Sequence, residues 1–469
     1  MSKHATFSDV VPAPFTVSEY APARIIRMDL AEPCSGISAF DEKSGFWYRR
    51  ALCFVYLHTQ PLGAVEFVFD EQGVDAQTCL QKIGQRLHAQ INEHLRQDGL
   101  PAMCVLDVRG IVSEGTPACL VEQERFLARA PFVSVIVPTH DRPDDLKFCL
   151  PSLLNLHYPR YEVIIVDNAP ASSATADLIQ QTYRDRPRLR YVREDRPGVS
   201  WARNAGSAFA RGEIIAFTDD DVEVDPGWLM SLVRGFSLAE NVGCVTGQVQ
   251  PLELATPAQY WCEENAGQCW FHEDSDPLKR FTQRIFTQSG RHRHLYRIGL
   301  FGCGANMAFR PEVLQRIQGF DPALGGTGPS RCGQDVAAFF ATMMQGYTIA
   351  YEPKALVYHQ HRRSYAALQK QFYNYGVGLT AYLTRNIYEY PQVLLDLFTK
   401  VPYDLLIDRS TTLNKTTERY PKDLKKVALR GMLYGPLAFV LSRRSARKAG
   451  MYYPPFWRRS GRSTRVSTR

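Results

Sequence analysis

Three consecutive carboxylates, Asp219, Asp220 and Asp221, stand just after the apolar run Glu213–Phe217. Carboxylates this close repel one another unless a cation or a shared proton relieves them. Hard oxygen ligands suit Mg2+ or Mn2+, and a divalent ion held there can neutralise the phosphates of a bound substrate. The alternative is a solvated acidic loop, or an Asp that caps the following helix. Asp225, followed by Pro226, already has the residue types for that cap and for the first helical position.

The elements that must position the triplet are legible around it. Compact apolar runs at Phe132–Val137, Glu162–Val166, Leu189–Val192 and Glu213–Phe217 have the pattern of strands buried on both faces. Helical patterns follow at about Asp144–Asn155, Ala174–Thr182, Val199–Ala210 and Pro226–Phe236. This alternation predicts a doubly wound, mostly parallel α/β sheet with helices on both faces. Ligands bind beyond the carboxyl ends of such strands. Three polar strand ends therefore converge on one edge: Pro138-Thr139-His140-Asp141-Arg142, Asp167-Asn168 and Thr218 with the acidic triplet.

A second block, Phe301–Tyr351, reads as a Gly-rich strand (FGCGANMAFR), a helix at Pro311–Ile317, a Gly-laden loop, a helix from Gln334 and a strand at Tyr347–Tyr351. The aromatic, polar stretch Pro251–Leu300 between the blocks is expected to be a functional loop. Residues 1–130 form a small α/β module with a helix over Ala76–Arg96, and Glu122–Pro131 reads as its exit linker. His58, His88 and His94 lie apart in this module and read as surface or packing histidines. The expected division is 1–130, a catalytic domain at 131–361, and a helical, basic C-terminal region at 362–469.

With 469 residues, 45% of them hydrophobic, wholesale disorder is excluded. The net charge of +7 depends on the C-terminal end, where twelve Lys and Arg lie between Lys425 and Arg469 with no acid, so the rest of the chain carries −5. Basicity confined to one end argues for a membrane surface or a basic tail and against nucleic acid as partner. Val427–Leu441, flanked by Lys425, Lys426, Arg443 and Arg444, is too short to span a bilayer but can lie flat on an anionic one. Eleven scattered cysteines without a CxxC pair suggest reduced thiols, and show neither zinc-site spacing nor a disulfide framework. The N-terminus lacks the apolar core of a signal peptide, so a cytoplasmic location, peripheral on the membrane's inner face, is expected.

The segment Phe132–His361 resembles the bacterial-type, inverting family 2 glycosyltransferases of the GT-A fold. The resemblance rests on VSVIVPTHDR, YEVIIVDNAP, RPGVSWARNAG, TDDDVEVDPGWL, FGCGANMAFRPEVLQRIQGFD and GQDVAAFF, in that order. It implies a Rossmann-like GT-A domain that moves a sugar from a nucleoside-diphosphate donor, with a UDP-sugar favoured, to a glycan, lipid-linked or small-molecule acceptor. Pro138, His140 and Arg142 would border the nucleotide, Asp167 or Asn168 would face the base, and Arg203 and Asn204 would lie beside the diphosphate. Asp219 and Asp221 match the ends of the DxD motif, with Asp220 supporting them. Asp335 matches the general base, and His359 matches a histidine that completes the shell of a divalent metal, Mn2+ or Mg2+. His361 with Arg362 is an alternative diphosphate contact. Two other activities stay open at this stage: nucleotidyl transfer to a sugar phosphate, and a non-catalytic scaffold that retains nucleotide-sugar binding.

Overall fold

The computed structural model describes residues 20–42, 45–112, 115–265, 281–290, 302–399 and 420–450. The N-terminal module contains β1 (Ala23–Asp29), β2 (Arg50–Leu57), β3 (Gln60–Val68), α1 (Ala76–Gln97) and α2 (Ala118–Ala128). Its sheet runs β1-β2-β3. Glu122–Pro131 is therefore not a plain linker, because α2 occupies most of it. None of the residues of α2 is fully buried, which explains why it left so weak an apolar periodicity.

The central domain begins with β4 (Val133–Thr139), α3 (Pro143–Leu154), β5 (Tyr161–Asn168), α4 (Ala174–Thr182), β6 (Leu189–Glu194), α5 (Val199–Phe209) and β7 (Ile214–Phe217). It continues with β8 (Val222–Val224), α6 (Trp228–Gly235), β9 (Val242–Pro251), α7 (Pro257–Asn265), β10 (Arg284–Phe286), β11 (Met307–Phe309), α8 (Pro311–Arg316), α9 (Gln334–Met344) and β12 (Thr348–His359). The sheet order is β8-β12-β9-β11-β7-β4-β5-β6, with β10 paired to β12. Strands β4, β5, β6 and β7 are mutually parallel, as expected. The strand within FGCGANMAFR shrinks to β11, and it runs antiparallel to both β7 and β9. Helix α6 starts two residues later than predicted. Asp225 accepts the Gly227 N–H at 2.8 Å with one oxygen and the Tyr56 hydroxyl at 2.9 Å with the other, so it joins the N-terminal module to the turn before α6.

Both faces of this sheet are covered. Ile136, Ile164 and Ile215 pack with Ala202 of α5 on one face, while Val135, Val137 and Ile165 pack with Leu146 of α3 and Leu229 of α6 on the other. Each such side chain taken fully out of water contributes about 1.5–3 kcal/mol. Helix α5 lies close to the sheet because position 206 lacks a side chain: a Cβ there would meet Ile136 Cγ2 at 2.5 Å.

The N-terminal sheet is also packed on two sides. Cys53, Val55 and Phe67 face Ile83 and Leu87 of α1, and Phe54 and Tyr56 face Leu254, Trp261 and Tyr358 of the central domain. Arg27 pairs with Glu223 at 2.6 Å and lies over the Tyr358 ring at 3.7 Å. The C-terminal region comprises α10 (Tyr365–Glu389), α11 (Gln392–Thr399) and α12 (Lys422–Lys448). Phe372 of α10 and Leu424 of α12 join the cluster that the N-terminal sheet shares with the central domain.

Candidate active site

The acidic triplet is fixed at the edge where β7 ends. Thr218 donates its N–H to Ile136 O at 3.2 Å and its hydroxyl to Ala305 O at 2.9 Å, so the chain turns there with its backbone pinned. β8 then pairs antiparallel with the end of β12, setting Val222 opposite His359. The backbone N–H of Gln360 donates to Asp221 O at 3.0 Å. His359 is thus the last residue of a strand, whereas the sequence had suggested a strand ending at Tyr351. Its Nε2 lies 3.2 Å from Asp221 Oδ1.

Ligand atoms of Asp219, Asp221 and His359 all lie within 4.8 Å of one another. Two carboxylate oxygens and an imidazole nitrogen form a donor set that suits Mn2+ or Mg2+. The three residues therefore fit the metal implied by the resemblance.

Electrostatics divide the triplet into distinct parts. Burial alone would raise the pKa of Asp221, but the hydrogen bond and charge of His359, with Arg142 and Arg362, hold it well below the usual carboxylate range. Arg142 NH1 lies 3.3 Å from its Oδ2, and Arg362 NH2 lies 3.7 Å away. Asp220 behaves oppositely. Its burial outweighs the attraction of Arg142 and pushes its pKa up to about 6, with Asp221 adding to the rise. It accepts the Thr139 hydroxyl at 2.7 Å and Arg142 NH1 at 3.0 Å, a supporting position behind the other two acids.

Asp219 is linked to Asp335 by a continuous polar chain. Arg203, only 2% exposed, donates NH2 to Asp219 Oδ1 and to Gly304 O, both at 3.0 Å. Gly304 N–H in turn donates to Asp335 Oδ2 at 2.8 Å. Position 304 must be small, since a Cβ there would lie 2.7 Å from the Arg203 guanidinium nitrogens. Asp335 occupies the first turn of α9, where its Oδ1 also accepts the Val336 N–H at 2.9 Å.

Several expected donor contacts are engaged within the protein. The Asn168 amide donates to Arg196 O at 2.8 Å and its Oδ1 accepts the Gly198 N–H at 2.7 Å, which ties β5 to the loop before α5. Asn204 likewise clamps Phe320 through its N–H and its carbonyl, both at 2.8 Å. His140 Nδ1 sits 2.6 Å from Asn168 O, with the ring largely exposed. Pro138 is buried within β4. Asp167 accepts the Tyr191 hydroxyl at 2.8 Å, and its Oδ1 makes no hydrogen bond of normal geometry. Burial raises its pKa, opposed by the Tyr191 hydrogen bond.

His361 is not available to a diphosphate. Its Nε2 meets Glu263 Oε1 of α7 at 2.7 Å, and its pKa, which burial would lower, is held up at about 10 by Cys262 and Glu263. Sequence reasoning missed Thr139, Tyr191 and Gly304 as supports. Thr139 and Gly304 lie inside the quoted motifs, and Tyr191 shows only as a polar-capable aromatic on the third strand. Residues 266–280 and 291–300 of the Pro251–Leu300 stretch lie outside the described residues.

Comparison with known proteins places this geometry. Residues 134–318 match the family described as Glycosyl transferase family 2. An O-antigen biosynthesis protein of Myxococcus xanthus is 28% identical over 302 residues, covering 62% of this chain and 21% of that protein. A probable glycosyltransferase of Bacillus subtilis is 24% identical over 253 residues, covering 51% of this chain and 53% of that protein. The chain spans only 13%, 21% and 39% of the length of three curated relatives that it matches. A mannosyltransferase of Pyrobaculum calidifontis, solved with GDP-Man and Mn2+, aligns with a TM-score of 0.41 at 18% identity, over 69% of this chain and 92% of its own. The match to glycosyl transferase family 2, residues 134–318, takes in the quoted motifs from SVIVPTHDR to FGCGANMAFRPEVLQRIQ and the acidic triplet at the sheet edge.

Proposed function

We propose that the chain transfers a sugar from a nucleoside-diphosphate donor to an acceptor hydroxyl in one inverting displacement. The observation that carries this reading is the polar chain from Asp219 through Arg203 and Gly304 to Asp335, which ties the candidate metal ligands to a carboxylate suited to act as a base. A divalent ion held by Asp219, Asp221 and His359 would supply neutralisation of the leaving diphosphate. Arg203 holds Asp219 from beneath, and Arg142 and Arg362 add positive charge on the Asp221 side. Asp335 takes the proton of the acceptor hydroxyl as its oxygen bonds to the anomeric carbon and the bond to the diphosphate oxygen breaks. Asp167 is fully buried and bonded to Tyr191, so the preference for a UDP-sugar rests on the sequence resemblance. Residues 131–361 would perform the transfer, with 1–130 and 362–469 as its flanking regions.

The test is turnover of a panel of sugar nucleotides by the purified chain with Mn2+ and Mg2+. Metal-dependent release of a nucleoside diphosphate is expected. Release of pyrophosphate instead would mean nucleotidyl transfer, and metal-dependent donor binding without turnover on any acceptor would mean a scaffold.

The acceptor is proposed to be a lipid-linked or cell-surface glycan, in keeping with the O-antigen relative. No helix of the described residues is long and apolar enough to cross a membrane. α12 nevertheless exposes Leu429, Leu433, Leu437 and Val440 on one face, while Gly431, Gly435, Ala438 and Phe439 are buried on the other. Lys425, Lys426 and Arg444 flank that stripe, whereas Arg443 is turned onto Glu389 and the Tyr388 ring. Such a face binds an anionic bilayer by apolar burial plus about 1 kcal/mol per basic residue near the surface. Co-flotation with phosphatidylglycerol-rich vesicles is expected, weakened by salt and lost in Leu433→Glu/Leu437→Glu. Equal flotation of wild type and variant would refute the membrane reading.

A further inference from the structure

The N-terminal module brings together four ligand-type side chains that lie far apart in the sequence. His58 sits in the two-residue turn between β2 and β3, His94 and Asp98 lie one turn apart at the end of α1, and Cys119 opens α2. His58, His94 and Asp98 are buried and Cys119 is half-buried.

Their ligand atoms form a compact tetrahedron. Asp98 Oδ2 lies 2.8 Å from His58 Nδ1, 3.2 Å from His94 Nε2 and 3.1 Å from Cys119 Sγ. The two ring nitrogens are 3.2 Å apart, and the sulfur is 3.8 Å from each. A zinc ion with bonds of about 2.0–2.3 Å to N, O and S spaces tetrahedral ligands roughly 3.3–3.7 Å apart, a spacing that the six separations of 2.8–3.8 Å bracket, with the Asp98 oxygen drawn in and the sulfur set out. Hydrogen bonding alone accounts poorly for this packing. Two imidazoles and a thiol all aim at one carboxylate oxygen, and if both rings donated to it their N–H groups would crowd each other. A cation at the centre removes that conflict, and a thiolate with a carboxylate carries the two negative charges that a divalent ion balances.

The backbone has been shaped to present these groups. His58 and Thr59 both adopt left-handed conformations, with φ of 51° and 66°, in a turn where glycine or asparagine would be unstrained. Strain of this kind accompanies functional positions. The Thr59 N–H is secured to Asp29 Oδ2 at 2.7 Å. Asp98 is oriented by its second oxygen, which accepts the Cys119 N–H at 2.7 Å, the outer-shell support that metal ligands normally have.

We propose that His58, His94, Asp98 and Cys119 form a closed, structural zinc site. Four protein ligands leave no open position for substrate, and the thiolate selects zinc over Mg2+, Ca2+ or Mn2+. The ion cross-links the β2–β3 hairpin, the end of α1 and the start of α2, the helix that leads into β4. The site is separate from the donor metal site, so it stands whether or not the proposed transfer is found.

The experiment is elemental analysis of the full chain purified without chelator, followed by cobalt substitution. About one zinc per chain is expected, kept in Asp221→Ala and reduced roughly tenfold in Cys119→Ser. The cobalt form should show an intense near-ultraviolet thiolate charge-transfer band, absent from Cys119→Ser. Wild-type chain without zinc and without that band would overturn the proposal, as would zinc lost in Asp221→Ala and kept in Cys119→Ser. If Cys119→Ser does not fold, the zinc content of wild type and Asp221→Ala, with the wild-type cobalt spectrum, still decides.

Discussion

Asp335→Asn is expected to stop sugar transfer while leaving donor binding near wild type. The substitution is almost isosteric, and the amide oxygen can still accept the Gly304 N–H that the carboxylate accepts at 2.8 Å. The polar chain to Arg203 and Asp219 then survives, while the Val336 N–H loses its acceptor and the capacity to take a proton is lost. Removing a positioned general base costs about 100-fold to 10,000-fold in rate. The pair of measurements is kcat with a competent donor and acceptor, and donor Kd by calorimetry in the presence of Mn2+. A rate within about threefold of wild type would remove Asp335 from the base role. A parallel collapse of donor affinity would instead make it a positioning residue.

Asp221→Ala should act at the other end of the site, on metal and donor binding together. It deletes one of the three candidate ligands and strips His359, Arg142 and Arg362 of their shared counter-charge. Arg362 would then lose its partner and Arg142 would keep only Asp220 and Asp145, raising the positive potential where a divalent ion has to bind. A loss of about 3–4 kcal/mol of metal-dependent stabilisation corresponds to several hundred-fold in kcat/KM. Mn2+ titration followed by electron paramagnetic resonance should show binding weakened by at least about tenfold, in proportion to the lost ligand. Unchanged Mn2+ affinity would move the metal away from this cluster. Asp335→Asn should leave Mn2+ binding alone, so the two variants separate the metal from the base.

The N-terminal module is more than an appendage to this site. Tyr56 reaches Asp225 and Tyr358, and Tyr358 immediately precedes His359. The strand that delivers the candidate ligand His359 is therefore braced from the module side, by Arg27 over the Tyr358 ring as well as by Tyr56. Zinc binding in the module and donor binding in the central domain are coupled at most through this packing, since they use different residues throughout.

The sequence by itself determined the parallel core and the location of the acidic triplet. Apolar runs of four to six residues and the polar residues that end them are local properties, and local periodicity records them directly. It also placed Asp335 at the start of a helix behind a glycine. Only the tertiary structure decided which of these groups meet. His359 reaches Asp221 because β8 and β12 pair antiparallel in one register, and no residue pattern along either segment encodes that register. Asn168 and Asn204, expected beside the donor, also hold Arg196, Gly198 and Phe320, partners chosen by loop packing. His94 and Asp98 share an i,i+4 spacing on one helix, but His58 and Cys119 come from two other elements, and folding alone brings the four ligand atoms within 4.8 Å of one another. Chemistry carried on one strand end can be read from the chain, whereas chemistry assembled across elements depends on long-range pairing, which the chain specifies only as a whole.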